Sequence, residues 1–272
     1  MYINQSTILI FLGGINMANY DSFIFAGHGT SERTGGYDPG ATSGNVRESD
    51  LARSIQNSAK KYLSTTNLNI HYDENNFADE DLAVNSYSKK AGIVIHINAG
   101  GGNGSEIFVP SVEKYLGPDF YIVSGIAKLL NIPDRGVKSR DYNTGAISTR
   151  VNGKALNYTD YYKEIRDAWG RGISLAILEV GFIDTSDLTK IQNNIDGIGL
   201  LVAKYIAEIC AVEIKLQTNI NTNINSSASV SMSGTHFRAI CGSFKEKQNA
   251  QNRLEDLRKA GFDAFIEVFN KE

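Results

Sequence analysis

Between Asp21 and about Ile214, short β-rich apolar runs alternate with segments whose apolar residues recur every three or four positions. Apolar strands of this kind need cover, and amphipathic helices interleaved with them supply it. The alternation therefore predicts an α/β sheet with helices on both faces. The expected strands are 22–26, 68–72, 92–98, 106–109 and 174–182. The expected helices are 46–63, 80–90, 120–130, 159–169 and 187–211. A chain of 272 residues with 42% hydrophobic content can bury a core of this size and still carry an appendage.

The appendage is visible as a change in composition. From Gln217 the sequence turns to Asn, Thr and Ser with few large apolar residues, which predicts a linker over 215–234. If flexible, ~18 such residues have an r.m.s. reach of roughly 20–25 Å. Residues 235–272 then read strand, helix, strand, a small βαβ module. At the other end, 1–17 reads as a non-native or upstream leader. It is apolar but has no Lys or Arg before the apolar run and no small-residue cleavage site, so Met17 is the expected native start and 18–214 the main domain.

Charge and cysteine usage narrow the function classes. A net charge of -3 gives no basic excess of the kind that dominates nucleic-acid binding, so nucleic acid is not expected as a partner. No apolar run approaches the ~20 residues of a membrane span, and no membrane insertion is expected. Cys210 and Cys241 are far apart and lack metal-ligand spacing, which makes them buried free thiols. His71 and His236 have no partner in the sequence and read as ordinary strand or surface residues.

Four residues carry possible chemistry. His28, in FIFAGHG, and His96, in GIVIHINAGGG, both follow apolar strands at their carboxyl ends, the edge of an open α/β sheet where ligand sites gather. Glu48 lies on the inward face of a helix whose apolar side runs through Leu51, Ala52, Ile55, Ala59 and Tyr62. That glutamate has a second reading, as capping-box partner of an Asn45 N-cap. Glu179 sits inside the apolar strand SLAILEVGF, where an unpaired charge costs several kcal/mol or is neutralised by a pKa shift. Two histidines and a carboxylate make a complete catalytic zinc shell with one position left for water, and a further carboxylate beside that water can carry its proton.

AGHG followed by YDPGATSGNVRESDLA, then VIHINAGGGNGSEIFV, RGVKSRDY and LAILEVGFIDT, resemble the zinc-dependent N-acetylmuramoyl-L-alanine amidases of the amidase-3 (AmiC-like) family, in family order and over nearly all of Asp21–Ile214. The resemblance implies a mixed, mostly parallel sheet of about six strands with flanking helices. It implies one Zn2+ held by His28, Glu48 and His96, with Glu179 as the catalytic glutamate, and it favours the ligand reading of Glu48 over the capping one. Asn98, Glu106 and Arg140 become candidate substrate-binding residues. The segment 141–162 departs from the family pattern, as does AGHG where many relatives have DPGHG.

HFRAICGSF and KAGFDAFIEV resemble half of a SPOR domain, a peptidoglycan-binding module. Fewer than ~40 residues rarely fold alone, so this half is expected to form a homodimer with a second copy or to pack on the amidase domain. The expected function is hydrolysis of the amide between N-acetylmuramic acid and L-alanine in bacterial peptidoglycan. The expected setting is a phage or prophage endolysin, made in the host cytoplasm without a signal peptide and acting on the wall after release. A bacterial autolysin of sporulation or cell separation, and a non-catalytic wall-binding protein, are the alternatives.

Overall fold

Strands that are apolar on both faces belong in the middle of a sheet, and two runs of this chain meet that condition. In Ala91–Asn98, Ile93, Ile95 and Ile97 enter one core while Val94 enters the other; in Ser174–Phe182, Ala176, Leu178 and Val180 oppose Leu175 and Ile177 in the same way. The computed structural model describes residues 18–31, 34–74 and 78–214. The expectations placed on 1–17, 215–234 and 235–272, including the βαβ module, Cys241 and His236, lie outside the described residues.

Among the described residues the main sheet has seven strands: β1 Ser22–Ala26, β2 Ile70–Asp73, β3 Ala91–Asn98, β4 Ser105–Phe108, β5 Asp134–Arg140, β6 Ile147–Thr149 and β7 Ser174–Phe182. Their order across the sheet is β6-β5-β4-β7-β3-β1-β2. The pairs β2/β1, β1/β3, β3/β7 and β4/β5 are parallel, whereas β7/β4 and β5/β6 are antiparallel. This is the mixed, mostly parallel sheet expected from the sequence, with one strand more.

Helices cover both faces. α1 (Glu48–Leu63), α3 (Gly117–Leu130), α5 (Asp187–Asn193) and α6 (Ile195–Cys210) enclose the core that contains Ile24, Ile93, Ile95 and Leu178. α2 (Ala78–Val84) and α4 (Lys163–Gly170) close the opposite face, where Leu82, Ile165 and Ala168 meet Phe23, Phe25, Val94 and Ile177. Each fully buried Leu or Ile in these layers is worth about 1.5–3 kcal/mol. Cys210 is a buried free thiol, as expected. No helix of the described residues is long and apolar enough to cross a membrane.

Three sequence expectations are corrected. The helical pattern over 80–90 ends at Val84, because Ser86–Tyr87 pairs in parallel with Asn19–Tyr20 and the Tyr87 ring packs edge-on against Phe23. The long 187–211 pattern is two helices broken at Asn194, whose side chain bonds the carbonyl of Lys190. The 159–169 pattern becomes helical only at Lys163, which leaves Tyr161 and Tyr162 on extended chain. β5 has no amphipathic signature at all, since among DRGVKSR only Val137 and Ser139 are fully buried.

The connection from β5 to α4 is long, and a buried arginine organises it. Arg150, 2% exposed, donates to the carbonyls of Pro110, Glu113 and Lys154 and to the Ser139 hydroxyl. Its ends are tied by backbone bonds from Tyr142 to Thr159 and from Tyr161 to Arg140. Asp160 accepts from the amide and hydroxyl of Ser111. The result is a fixed wall that carries Tyr161 and Tyr162 to the edge of the sheet.

A second buried polar contact makes stability depend on pH. Asp119 on α3 accepts a hydrogen bond from the Tyr205 hydroxyl on α6 at 3.0 Å, and burial pushes its carboxyl up to about 7 from 3.8. A raised folded-state pKa contributes stability that is complete below 3.8 and is lost as pH rises toward 7, with a slope of up to ~1.4 kcal/mol per pH unit. Asp119→Asn is expected to flatten urea-denaturation stability across this window and to gain most over wild type at pH 8. An unchanged pH profile would contradict the assignment.

Candidate active site

Parallel strands β1 and β3 end side by side, and the residues just past or at their carboxyl ends meet over the sheet edge. His28 follows β1 with φ 64°, a left-handed conformation uncommon for a non-glycine residue. Its ring lies edge-on to that of His96 with centroids 4.8 Å apart. Such local strain persists only where the surroundings hold it, and here Asp38 does so. The Gly29–Thr30 segment pairs with Tyr37–Asp38, and Asp38 Oδ2 lies 2.9 Å from His28 Nδ1.

Glu48 closes the group. It is the first residue of α1, and the N-cap is Arg47 with no side-chain cap, so the capping reading with Asn45 does not hold. Its carboxylate turns inward: Oε1 accepts from the Ile97 amide and meets His96 Nδ1, both at 2.9 Å. Oε2 accepts from the Ala41 amide at 2.8 Å and lies 3.2 Å from His28 Nε2. One ligand atom from each of His28, Glu48 and His96 lies within 4.8 Å of the others. Imidazole nitrogens facing a carboxylate at this spacing suit a first-row divalent ion, and Asp38 stands where a carboxylate would orient a ligating imidazole.

The electrostatics follow from burial and neighbours. Burial disfavours the charged form of Glu48, but His28 and His96 outweigh it and hold the carboxyl far below the usual range. Burial lowers His28, yet Glu48 and Asp38 raise it to about 9. His96 is likewise raised, burial opposing and Glu48 with Glu179 prevailing.

Glu179 belongs to a row that crosses three strands. In register, Glu106 of β4 pairs with Glu179 of β7, and Glu179 pairs with His96 of β3, so all three point to the α4 side of the sheet. Two adjacent carboxylates repel. Glu106 is buried and neutralised by Arg135, at 2.8 Å, and by Lys138. Glu179 Oε2 is buried and has no hydrogen-bond partner, and burial pushes the carboxyl up to about 7, with His96 opposing and Glu48 and Glu106 assisting.

These groups line a cleft of about 500 Å³ together with Asn98 and, from the opposite wall, Tyr162 to Glu164. Of the residues singled out in the sequence, His28, Glu48, His96, Glu179 and Asn98 come together there. Glu106 lies beside the cleft and accepts from Asn98 Nδ2 at 3.1 Å. Arg140 is outside the lining set and stacks over the Tyr161 ring at 3.8 Å. The sequence reading assigned no part to Asp38, Gly40 or Tyr162. Asp38 and Gly40 lie within YDPG, but nothing in that string announces a histidine ten residues away; Tyr162 lies in an extended segment read as helix.

A cleft at the carboxyl edge of an α/β sheet, holding two histidines, a buried anchoring glutamate and an unpartnered one, has the make-up of a hydrolase site with a place for a metal. Residues 23–208 match the Amidase_3 family, described as N-acetylmuramoyl-L-alanine amidase, and the chain belongs to that family. The sporulation-specific N-acetylmuramoyl-L-alanine amidase of Bacillus subtilis (strain 168) is 23% identical over 261 residues, 90% of this chain and 83% of that protein. Cwp6 from Clostridium difficile shares the fold, with a TM-score of 0.52 and 20% identity over 70% of this chain; the match spans 29% of that structure. The N-acetylmuramoyl-L-alanine amidase from Clostridium difficile 630 gives a TM-score of 0.49 at 19% identity, over 71% of this chain and 96% of that one.

Glycines make room for the constellation. A Cβ on Gly40, at φ 65°, would lie 2.6 Å from His28 Cδ2 and 2.7 Å from Glu48 Oε2; one on Gly27 would lie 2.5 Å from the His96 ring. Gly40→Ala is expected to cost ~1–3 kcal/mol in denaturant unfolding, from the backbone strain and the displaced carboxylate together. A cost of a few tenths would mean that the pocket tolerates a side chain there.

Proposed function

We propose that the protein is a zinc-dependent hydrolase of peptidoglycan that cuts the amide between N-acetylmuramic acid and L-alanine. The observation that carries this reading is the convergence of His28, Glu48 and His96 within 4.8 Å beside the unpartnered carboxylate oxygen of Glu179 in one cleft. His28 Nε2, a Glu48 oxygen and His96 Nδ1 would hold the ion. Zinc, when bound, polarises the substrate carbonyl and brings the pKa of water to about 7.

The rest of the chemistry belongs to the chain. Water adds to the carbonyl carbon, Glu179 takes its proton, and the carbon–nitrogen bond breaks as Glu179 returns that proton to the leaving amine. The products are a carboxylic acid on the lactyl group and a free L-alanine amino terminus. A carboxyl with a pKa of about 7 can accept and release a proton near neutral pH. Asp38 keeps the proton on Nδ1 of His28 and so leaves Nε2 free to bind metal. Asn98, which lines the cleft, would meet the substrate's amides.

The cellular setting is part of the same proposal. The endolysin reading places the protein in the bacterial host cytoplasm until release, with residues 235–272 adding wall affinity as a paired half-SPOR module. The sporulation-specific relative favours a second reading, a bacterial enzyme acting on its own wall. Lysis of expressing cells only when a pore former is co-expressed supports the first; release of spore-cortex fragments without one supports the second.

Chelation is expected to abolish turbidity loss of purified peptidoglycan, and zinc to restore it with L-alanine as the new amino terminus. Glu179→Gln should lower kcat by about 10²–10⁴-fold while still binding one zinc ion; full activity in this variant would exclude Glu179 as the proton carrier. Asp38→Asn is expected to weaken zinc binding by about 10–100-fold in a competition with a chelating dye. Unchanged affinity would remove Asp38 from the metal's outer shell.

A further inference from the structure

Two arginines near the cleft are held in place by rings and carbonyls rather than by an ion pair among the described residues. Arg140 lies over the Tyr161 ring at 3.8 Å and donates from Nε to the Gly145 carbonyl at 3.1 Å. Arg166 lies over the Tyr142 ring at 4.7 Å and donates from one terminal nitrogen to the carbonyls of Asp160 and Tyr161. Asp160, whose charge is felt by Arg166, is turned inward onto Ser111. Neither guanidinium forms an ion pair among the described residues. Tyr142 and Tyr161 are 56% and 41% exposed, so the stacked pairs face solvent.

This surface is continuous with the cleft. Tyr161 and Tyr162 meet edge to face with centroids 5.5 Å apart, Tyr162 lines the cleft, and the Arg140 guanidinium faces the Tyr162 hydroxyl. A guanidinium has five N–H donors in a planar fork. The bonds already made use Nε of Arg140, a contact of its guanidinium with the Tyr162 hydroxyl, and one terminal nitrogen of Arg166, which leaves further N–H donors on both forks for an oxygen acceptor. Stacking and carbonyl bonds fix each side chain in advance, so little rotamer freedom is lost when an anion arrives. On a chain of net charge -3, two guanidinium groups held in place without an ion pair among the described residues mark a place for an anion.

We propose that Arg140 and Arg166, stacked on Tyr161 and Tyr142, form a carboxylate-binding subsite that reads the free α-carboxylate of the second residue of the stem peptide. The assignment rests on the amidase reading for the direction of the substrate. N-acetylated sugars are neutral and give a guanidinium nothing to pair with, whereas the stem peptide carries carboxylates. Tyr161, which carries Arg140, adjoins the Tyr162 wall of the cleft with ring centroids 5.5 Å apart, and two extended residues reach at most ~7 Å.

The test compares two ligands that differ in one group: N-acetylmuramyl-L-Ala-D-isoglutamate and its isoglutamine counterpart, in which the α-carboxylate is a carboxamide. Calorimetric titration into the zinc-loaded full chain carrying Glu179→Gln, which prevents turnover, is expected to give about tenfold tighter binding of the acid. Adding Arg140→Gln and Arg166→Gln is expected to remove that preference. Equal affinities, no measurable binding of either ligand, or a preference that survives both substitutions would overturn the subsite. Because the comparison of ligands uses the native arginines, it does not depend on the substituted protein folding. Hydrolysis by wild type without discrimination would sink the subsite and leave the amidase reading intact; discrimination in binding without any hydrolysis would do the reverse.

Discussion

The carboxylate of Glu48 is the contact on which the site is built. A single side chain at the start of α1 accepts from the backbone amides of Ala41 and Ile97 and meets one nitrogen from each of His28 and His96. It therefore joins the Thr42–Arg47 turn, the α1 N-terminus and the ends of two neighbouring parallel strands at one point. Taking a carboxylate out of water is costly, and this one is compensated by two backbone donors and two imidazoles. Any shift of α1 along β3 would break four contacts at once, which is why the helix docking and the site geometry are one problem rather than two.

The sheet supplies the other half of the arrangement through register. Strand β7 is parallel to β3 and antiparallel to β4, so Glu106, Glu179 and His96 fall into one row. The row needs its charges separated by environment. Arg135 and Lys138 neutralise the outer glutamate, and the inner one keeps a buried oxygen without a hydrogen-bond partner. Two chemically identical side chains on adjacent strands thus acquire different environments, one ion-paired and one with its carboxyl pushed up by burial.

The wall opposite this row is built from the long connection between β5 and α4. Arg150, buried and bonded to four oxygen atoms, ties 141–162 to the loop after β4, and the order it imposes extends to Tyr161, Tyr162 and the arginines stacked beside them.

Most of the fold was legible in the residues. The runs 22–26 and 174–182 form strands with the expected bounds, because uninterrupted apolar alternation leaves a strand few other places to go. β5 was not legible, since its place beside β4 rests on backbone pairing and on Lys138 meeting Glu106 of that strand rather than on an apolar pattern of its own. His28, Glu48, His96 and Glu179 could be named from strand ends, helix phase and an incongruous charge. Their convergence, the inward turn of Glu48 in place of a capping contact, and the contacts of Asp38 and Tyr162 were decided only by tertiary structure. A sequence encodes periodicity along one chain; the distance between side chains ten to a hundred and fifty residues apart is set by strand register and helix docking, which no local pattern contains.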